Sequence, residues 1–127
     1  MSSPEDRCPC LSGNPLRTCC GPLLSGDRGA ATAEQLMRSR FTAFAVGDAA
    51  YLLKTWHPST RPAALDLDAD QRWYRLDIMW TERGGLLDAD GQVSFRAYYR
   101  HPDGAGQQEE VSRFVREAGH WFYLSAQ

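Results

Sequence analysis

The stretch TAEQLMRSRFTAF, residues 32–44, decides how the rest of the chain can fold. Thr32 and Gln35 form a capping box, a pattern that precedes many α-helices. Apolar side chains then recur at helical spacing and share one face: Leu36, Met37, Phe41 and Phe44. The stretch therefore predicts an amphipathic helix, which has to bury its apolar face against another part of the chain.

A second helix is predicted directly after the first. Gly47 is a typical helix-ending residue, and Asp48 can cap the stretch AAYLLKTW, residues 49–56. The side chains on the apolar face of this helix are Leu52, Leu53 and Trp56. Pro58 ends the helix within a residue or two. Because only two residues separate the helices, their axes must turn sharply.

After an irregular stretch at residues 58–70, the apolar pattern changes to a period of two, which is typical of strands. One face of the first predicted strand carries Tyr74, Leu76, Ile78 and Trp80. A bend is expected at Gly84–Gly85, and a hairpin turn at residues 88–91. One face of the next strand carries Val93, Phe95, Ala97 and Tyr99. Two more strands, QQEEVSRFVRE and HWFYLS, complete an antiparallel sheet, so the order of elements predicts an α+β fold.

The composition limits the compartment and the partners of the protein. The formal net charge of -2, from 14 basic and 16 acidic residues, does not favour non-specific binding to nucleic acid or to anionic membranes. No stretch approaches the roughly 20 apolar residues that span a bilayer. The polar start MSSPEDRCPC lacks the apolar run of a secretory signal. We therefore expect a cytoplasmic protein without a membrane partner.

All four cysteines lie in the stretch CPCLSGNPLRTCCG, residues 8–21, at positions Cys8, Cys10, Cys19 and Cys20. Two disulfides are disfavoured by a reducing cytoplasm and by the strain of a bridge between adjacent cysteines. Redox pairs usually have a two-residue gap between the thiols, whereas the gaps here are one and zero. A tetrahedral metal site fits two thiol pairs joined by a loop of turn-forming residues. Four thiolates form the closed ligand set of a structural zinc, so one structural Zn²⁺ is the favoured interpretation.

The same stretch resembles the SEC-C motif, in which CPCGSG is followed by a short basic stretch and then Cys-Cys or Cys-His. This resemblance implies that the four cysteines bind zinc, and Leu11 stands where the motif usually has glycine. Together, CCGPLLSG, TAEQLMRSRFTAF and YLLKTWHPSTRP resemble the YchJ-like family of small bacterial proteins. That family implies a nuclear-transport-factor-2-like (NTF2-like) body, a curved sheet that wraps around helices as a cone, and no established reaction. The organisation expected is a SEC-C-type zinc motif at 1–21, a linker at 22–31 and an NTF2-like domain at 32–127.

The stretch TWHPSTRP, just past the second helix, is the best candidate for a ligand pocket. Its possible pocket residues are Trp56, His57, Thr60 and Arg61. His57 could act as a general base and Arg61 could hold an anion; alternatively, His57 bonds the helix-end carbonyls and Arg61 pairs with an aspartate. Arg40, beside the apolar stripe of the first helix, either projects into the cone or extends to the surface.

Two functions follow from these patterns. The first is a small cytoplasmic zinc protein that binds a protein or nucleic-acid partner. In this case we do not expect an enzyme, because the common catalytic motifs are missing from the sequence. The second is binding of a small anionic molecule, or catalysis, in a cone pocket around His57 and Arg61. Aromatic residues on both faces of the sheet also favour a homodimer through one face: Tyr98, Tyr99, Trp121 and Tyr123.

Overall fold

The computed structural model describes residues 6–126 as an α+β unit in which short helices precede an antiparallel sheet. The helices are a 3₁₀ turn at Leu16–Thr18, α1 at Cys20–Ser25, α2 at Ala33–Val46 and α3 at Ala49–Lys54. The strands are β1 at Arg72–Arg83, β2 at Asp90–Arg100, β3 at Gly106–Glu117 and β4 at His120–Ala126, paired in the order β1-β2-β3-β4. The first five residues of the predicted zinc motif, and Gln127 of the predicted body, lie outside the described residues.

The caps predicted for α2 and α3 are confirmed. The backbone N–H of Gln35 donates to the Thr32 hydroxyl at 3.1 Å, which satisfies a free donor in the first turn of α2. Gly47 ends α2 in a left-handed conformation, with φ of 81°. The Asp48 carboxylate then accepts from the backbone N–H of Tyr51 at 3.0 Å and starts α3. The sharp turn between the two helices follows from these two adjacent caps.

The segment expected to be a linker, residues 22–31, is helical over its first four residues, which belong to α1. Leu23 is buried in a second apolar cluster with Tyr51 and Leu52, and Leu24 packs against the same cluster. These two leucines give the segment an apolar surface that is buried against α2 and α3, so this part of the chain packs as an element of the fold.

The single-face alternation predicted for β1 is wrong at both ends of the strand. Leu76 is buried as expected, but Tyr74 and Trp80 are 43% and 46% exposed. The pairing with β2 shifts register between Trp73 and Arg75 and again between Ile78 and Trp80. Each irregularity changes which side chains face the core, so Trp73 packs inward in place of Tyr74.

The hairpin between β1 and β2 turns earlier than residues 88–91. β2 already begins at Asp90, and the connection covers residues 84–89. Gly84 has φ of 79°, and a Cβ atom added to Gly91 would lie 2.5 Å from the Gly84 Cα. The two backbones therefore approach each other more closely than any side chain would permit, which requires glycine at both positions.

The main core lies between α2 and the inner face of the sheet. Its buried members from α2 are Ala33, Leu36, Met37 and Phe41, and those from the strands are Leu76, Val93, Phe95, Ala97, Phe114 and Trp121. The Trp121 indole Nε1–H donates to the carbonyl of Ala31 at 3.2 Å, which fixes the start of α2 over β4. Among the helices of residues 6–126, none combines the length and the hydropathy of a membrane span.

Candidate metal centre and interior cavity

The four cysteine sulfurs converge to a single cluster, in which all of them lie within 4.8 Å of one another. A short antiparallel contact between Arg7 and Pro15 folds the N-terminal loop back on itself. The backbone N–H of Cys8 donates to the Asn14 carbonyl at 2.9 Å and holds the first thiol pair in place. The 3₁₀ turn and the start of α1 then bring Cys19 and Cys20 to the same point.

The spacing of the sulfurs fits a tetrahedral metal ion. The Sγ atoms of Cys10 and Cys19 are 3.6 Å apart, and those of Cys19 and Cys20 are 3.9 Å apart. A tetrahedron with Zn–S bonds of about 2.3 Å has S···S edges of about 3.8 Å. All four cysteines are free thiols, and three of them are buried. Four cysteines placed in this way can bind a metal, and their soft donor set suits zinc.

The pKa directions of the thiols describe how the cysteines ionise in the absence of a metal. Hydrogen bonds with Cys10 and Cys20 lower the pKa of the Cys8 thiol, so one sulfur of the cluster can ionise. Hydrogen bonds with Cys10 and Cys8, together with burial, raise the pKa of Cys20 far above its usual value. Buried like charges disfavour one another, so several thiolates coexist here only around a positive ion.

Side chains of α2 and of the segment after α1 contact the cysteine loop. Arg38 of α2 donates from Nη1 to the Cys10 carbonyl at 2.8 Å, and Thr42 places its hydroxyl 3.6 Å from the Cys8 sulfur. Arg28 donates from Nη2 to the carbonyls of Thr18 and Cys19, at 3.1 and 3.3 Å. Two guanidinium groups thus lie beside a site that carries a net charge of about -2 when four thiolates hold one Zn²⁺. Their roles were not predicted, because their positions along the sequence do not show which loop they contact.

A second candidate site is a cavity of about 220 Å³ between α2 and the inner face of the sheet. Half of its twelve lining residues are aromatic, among them Phe41, Phe44, Trp56 and Trp73. Its polar lining includes Arg40, Gln108, Glu110 and Ser112, together with the ring of Tyr123. Arg40 and Trp56, two of the predicted pocket residues, therefore line this cavity.

The other three predicted pocket residues lie outside the cavity. The backbone N–H of His57 donates to the Tyr123 carbonyl at 2.7 Å, and the Tyr123 N–H donates to the Thr55 carbonyl at 2.8 Å. This bridge pairs Trp56 with Tyr123, and adjacent side chains of a paired segment point in opposite directions. Trp56 consequently faces the cavity, whereas His57 faces away from it.

His57 and Thr60 instead fasten the turn after α3 to the hairpin of β3 and β4, and Arg61 closes the turn on itself. The His57 Nε2 lies 2.8 Å from a carboxylate oxygen of Glu117, and its Nδ1 accepts from the backbone N–H of Ser59. The Thr60 hydroxyl donates to the Leu124 carbonyl at 2.7 Å, and Arg61 donates from Nε to the Trp56 carbonyl at 2.9 Å. These contacts have a structural role in the turn. The cavity lies on the other side of Trp56, so His57 and Arg61 do not line it as the sequence predicts.

Known proteins resemble both the helix-covered sheet and the cysteine cluster of this chain. Residues 32–126 match the family described as YchJ, middle NTF2-like domain. A SEC-C motif containing protein from Rhodopseudomonas palustris, known from its solution structure, superposes with a TM-score of 0.82 at 31% identity, over 94% of this chain and 96% of that one. A SEC-C motif containing protein from Psychrobacter arcticus superposes with a TM-score of 0.74 at 31% identity, over 93% of this chain and 80% of that one.

The four-cysteine cluster and the helix-covered sheet thus define a SEC-C motif protein with an NTF2-like body. The UPF0225 protein SCO1677 of Streptomyces coelicolor is 48% identical over 98% of this chain and 97% of its own length. The UPF0225 protein CE1570 of Corynebacterium efficiens is 51% identical over 92% of this chain and 89% of its own length. The chain belongs to the YchJ-like family, and its SEC-C relatives suggest zinc as the metal of the cysteine cluster.

Proposed function

We propose that the protein is a small zinc-stabilised module that docks a protein partner through its metal-ordered N-terminal loop. The observation that carries the zinc assignment is the convergence of four thiol sulfurs within 4.8 Å. A closed set of four protein ligands leaves no position for substrate or water, so the metal is structural. Zinc joins the two thiol pairs of the loop, and its binding free energy contributes directly to the folding of this region.

Leu11 supports the docking function. It lies between the two thiol pairs, has a φ of 64°, and is 52% exposed. A left-handed conformation costs a non-glycine residue roughly 1–2 kcal/mol, and an exposed leucine gains little packing in return. The backbone N–H of Leu11 donates to the Cys8 carbonyl at 3.0 Å, so the metal loop itself holds this conformation. The loop thereby presents an apolar side chain to solvent beside the metal cluster, where a partner can contact it. The net charge of -2 favours a protein partner over a nucleic acid.

Metal analysis of protein purified without added zinc tests the first half of the proposal. We expect about one equivalent of zinc, and four reactive thiols after chelation. Substitution with Co²⁺ should give the intense sulfur-to-cobalt absorption of a tetrahedral thiolate site. Cys10→Ser should lose this absorption, whereas Ser12→Ala should retain it. Absence of metal, or sulfurs that are paired with one another in freshly lysed cells, would contradict the assignment.

Photo-crosslinking in living cells tests the docking function. A photoreactive residue at position 11 should cross-link to one defined protein, and the cross-link should disappear in the Cys10→Ser background. The same residue at position 87, where Leu87 is 95% exposed and distant in sequence from the metal loop, is the matched control. Equal cross-linking from both positions would refute docking at Leu11, and a cross-link to nucleic acid would refute the protein partner. The homodimer through the sheet face stays a prediction, which sedimentation equilibrium can test.

A further inference from the structure

A groove lies between the segment after α1, the end of α3 and the start of β4. Its volume is about 360 Å³, and small-molecule sites typically enclose about 300–1,000 Å³. Among the described residues, it shares no lining side chain with the interior cavity. Neither Leu11 nor any of the four cysteines lines it, so a function of this groove is independent of the zinc and docking proposals.

The floor of the groove is apolar. Its aromatic residues are Tyr51, Trp121 and the partly exposed Phe122. The first two are only 6% and 4% exposed, and their polar atoms are already bonded within the chain. The Tyr51 hydroxyl shares a hydrogen bond with the Ser39 hydroxyl at 2.7 Å, and the Trp121 indole N–H donates to the Ala31 carbonyl at 3.2 Å. The floor therefore presents aromatic surface to a ligand and keeps its polar atoms for the fold.

The rim of the groove carries positive charge. Its basic side chains are those of Arg28, Lys54 and His120, and all three are exposed. Among the described residues that line the groove, none carries a carboxylate or a side-chain amide. The lining thus combines two permanent positive charges and one imidazole with no negative charge of its own.

Nearby carboxylates do not neutralise this rim. Asp27 is exposed and does not line the groove. Glu117, which lies opposite His120 in the pairing of β3 with β4, is already bound to the His57 Nε2 at 2.8 Å. Within residues 6–126, neither the Lys54 ammonium nor the His120 imidazole has a hydrogen-bond or ion-pair partner. Both groups therefore keep their hydrogen-bonding capacity for a ligand.

The position of Lys54 distinguishes it from a lysine that only solvates the surface. A Cβ atom added to Gly26 would lie 3.7 Å from the Lys54 Nζ, so the side chain extends from the end of α3 across to the end of α1. Arg28 is less free, because its Nη2 donates to two carbonyls of the metal loop. Lys54 and His120 are therefore the contact groups of the rim, and Arg28 adds to its positive potential.

We propose that the groove binds a small organic anion, whose phosphate or carboxylate contacts Lys54 and His120 and whose apolar part lies against Trp121 and Phe122. Ammonium and imidazole groups donate to the oxygens of both head groups, and hydrogen bonds of this kind are strengthened by charge. A mainly apolar wall with a few polar groups is also the usual composition of a small-molecule site. An amphipathic anion matches both the floor and the rim, whereas an uncharged ring or a bare anion matches only one of them.

Titration of the zinc-loaded protein with phenyl phosphate and with benzoate, followed by NMR of the backbone amides, tests the proposal. Phenol, which has the ring without the charge, and inorganic phosphate, which has the charge without the ring, are the reference ligands. We expect saturable one-to-one binding of phenyl phosphate or benzoate with a dissociation constant below about 10 mM. The tighter of the two identifies the head group, and it should bind at least about tenfold more tightly than either reference ligand. The shifts should be largest at residues 26–30 and 120–122.

Lys54 also provides a direct probe, because it is the only lysine of the chain. Reductive methylation with ¹³C-formaldehyde labels its Nζ and the terminal amino group and keeps the positive charge of the lysine. The methyl resonance of Lys54 should move with the same dissociation constant as the amides, whereas that of the terminal amino group should not move.

Variants separate the proposed contacts from general effects of charge. Lys54→Gln should weaken binding about threefold to tenfold, and His120→Gln about twofold to threefold. Arg75→Gln removes a charge from an exposed site on β1 and should bind as the parent does. If Lys54→Gln does not fold, the methyl resonance of the parent still decides the outcome. The proposal is overturned if neither anion saturates the groove, if a reference ligand binds as tightly, or if Lys54→Gln and Arg75→Gln have equal affinities.

Discussion

Removal of the Arg38 side chain should weaken zinc binding without removing a metal ligand. Arg38 reaches from α2 to the Cys10 carbonyl at 2.8 Å, and it also pairs with Glu34 at 3.0 Å. A hydrogen bond that involves a charged group contributes about 1.5–3 kcal/mol, which corresponds to roughly a tenfold to hundredfold change in an equilibrium constant. Outer contacts of metal ligands typically change metal affinity by about the same factor. Arg38→Gln should therefore raise the dissociation constant for zinc about tenfold to hundredfold.

A competition titration with a chromophoric zinc chelator measures this change directly. Arg75→Gln is the matched control, because Arg75 is 55% exposed, lies on β1 and pairs with Asp77. Glu34→Gln is a second control, since it removes the ion pair of Arg38 but keeps its hydrogen bond to Cys10. Zinc affinity should be unchanged in Arg75→Gln and reduced only slightly in Glu34→Gln. If the dissociation constant for zinc of Arg38→Gln lies within threefold of the parent's value, the contact of Arg38 with the metal loop does not strengthen zinc binding.

Three further changes test the fold and the metal loop. Leu11→Gly should raise the stability of the zinc-loaded protein by about 0.5–1 kcal/mol in thermal unfolding. The reason is that relief of the left-handed strain at position 11 exceeds the entropy cost of glycine. A lowered melting temperature would contradict this account. Gly91→Ala should destabilise the protein by about 1–3 kcal/mol in urea because its Cβ meets the Gly84 backbone, whereas Gly29→Ala, with open space around its Cβ, should be neutral. Lowering the pH from about 7 to 5 should release zinc to an indicator dye, because protons compete with the metal for the thiolates. In the absence of metal, the pKa of the Cys20 thiol is raised, which favours its protonation. Full retention of zinc at pH 5 would indicate other ligands.

Much of the fold could be predicted because its determinants are local. The caps of α2 and α3 depend on residues three positions apart, and the alternation that marks the strands lies within each strand. The irregularities in β1 could not be predicted, because a bulge depends on how two strands align and leaves the composition of either strand unchanged. Tyr74 and Trp80 were placed on the wrong face for this reason.

The metal cluster could be predicted from the sequence because its ligands are close together along the chain, whereas the cavity could be predicted only in part. The cysteines are four chemically distinctive residues within 13 positions, so spacing alone suggests one site. The cavity instead gathers side chains from α2, all four strands of the sheet and the turn after α3. Arg40 and Trp56 could be proposed from their positions beside helix ends and apolar stripes. Glu110 could not, because the cavity wall to which it belongs forms only when the four strands pair and α2 covers them.

Helix α2 connects the two sites of the molecule. Arg38 and Thr42, one turn apart, face the metal loop, where they contact Cys10 and Cys8. Arg40, with its neighbouring aromatic side chains on the other side of the same helix, lines the cavity. A packed helix moves largely as a unit, so a shift of α2 that follows loss of the metal also displaces one wall of the cavity. The metal loop thus helps to fix the position of the helix that forms one wall of the cavity, and the loop and the cavity belong to one structural unit.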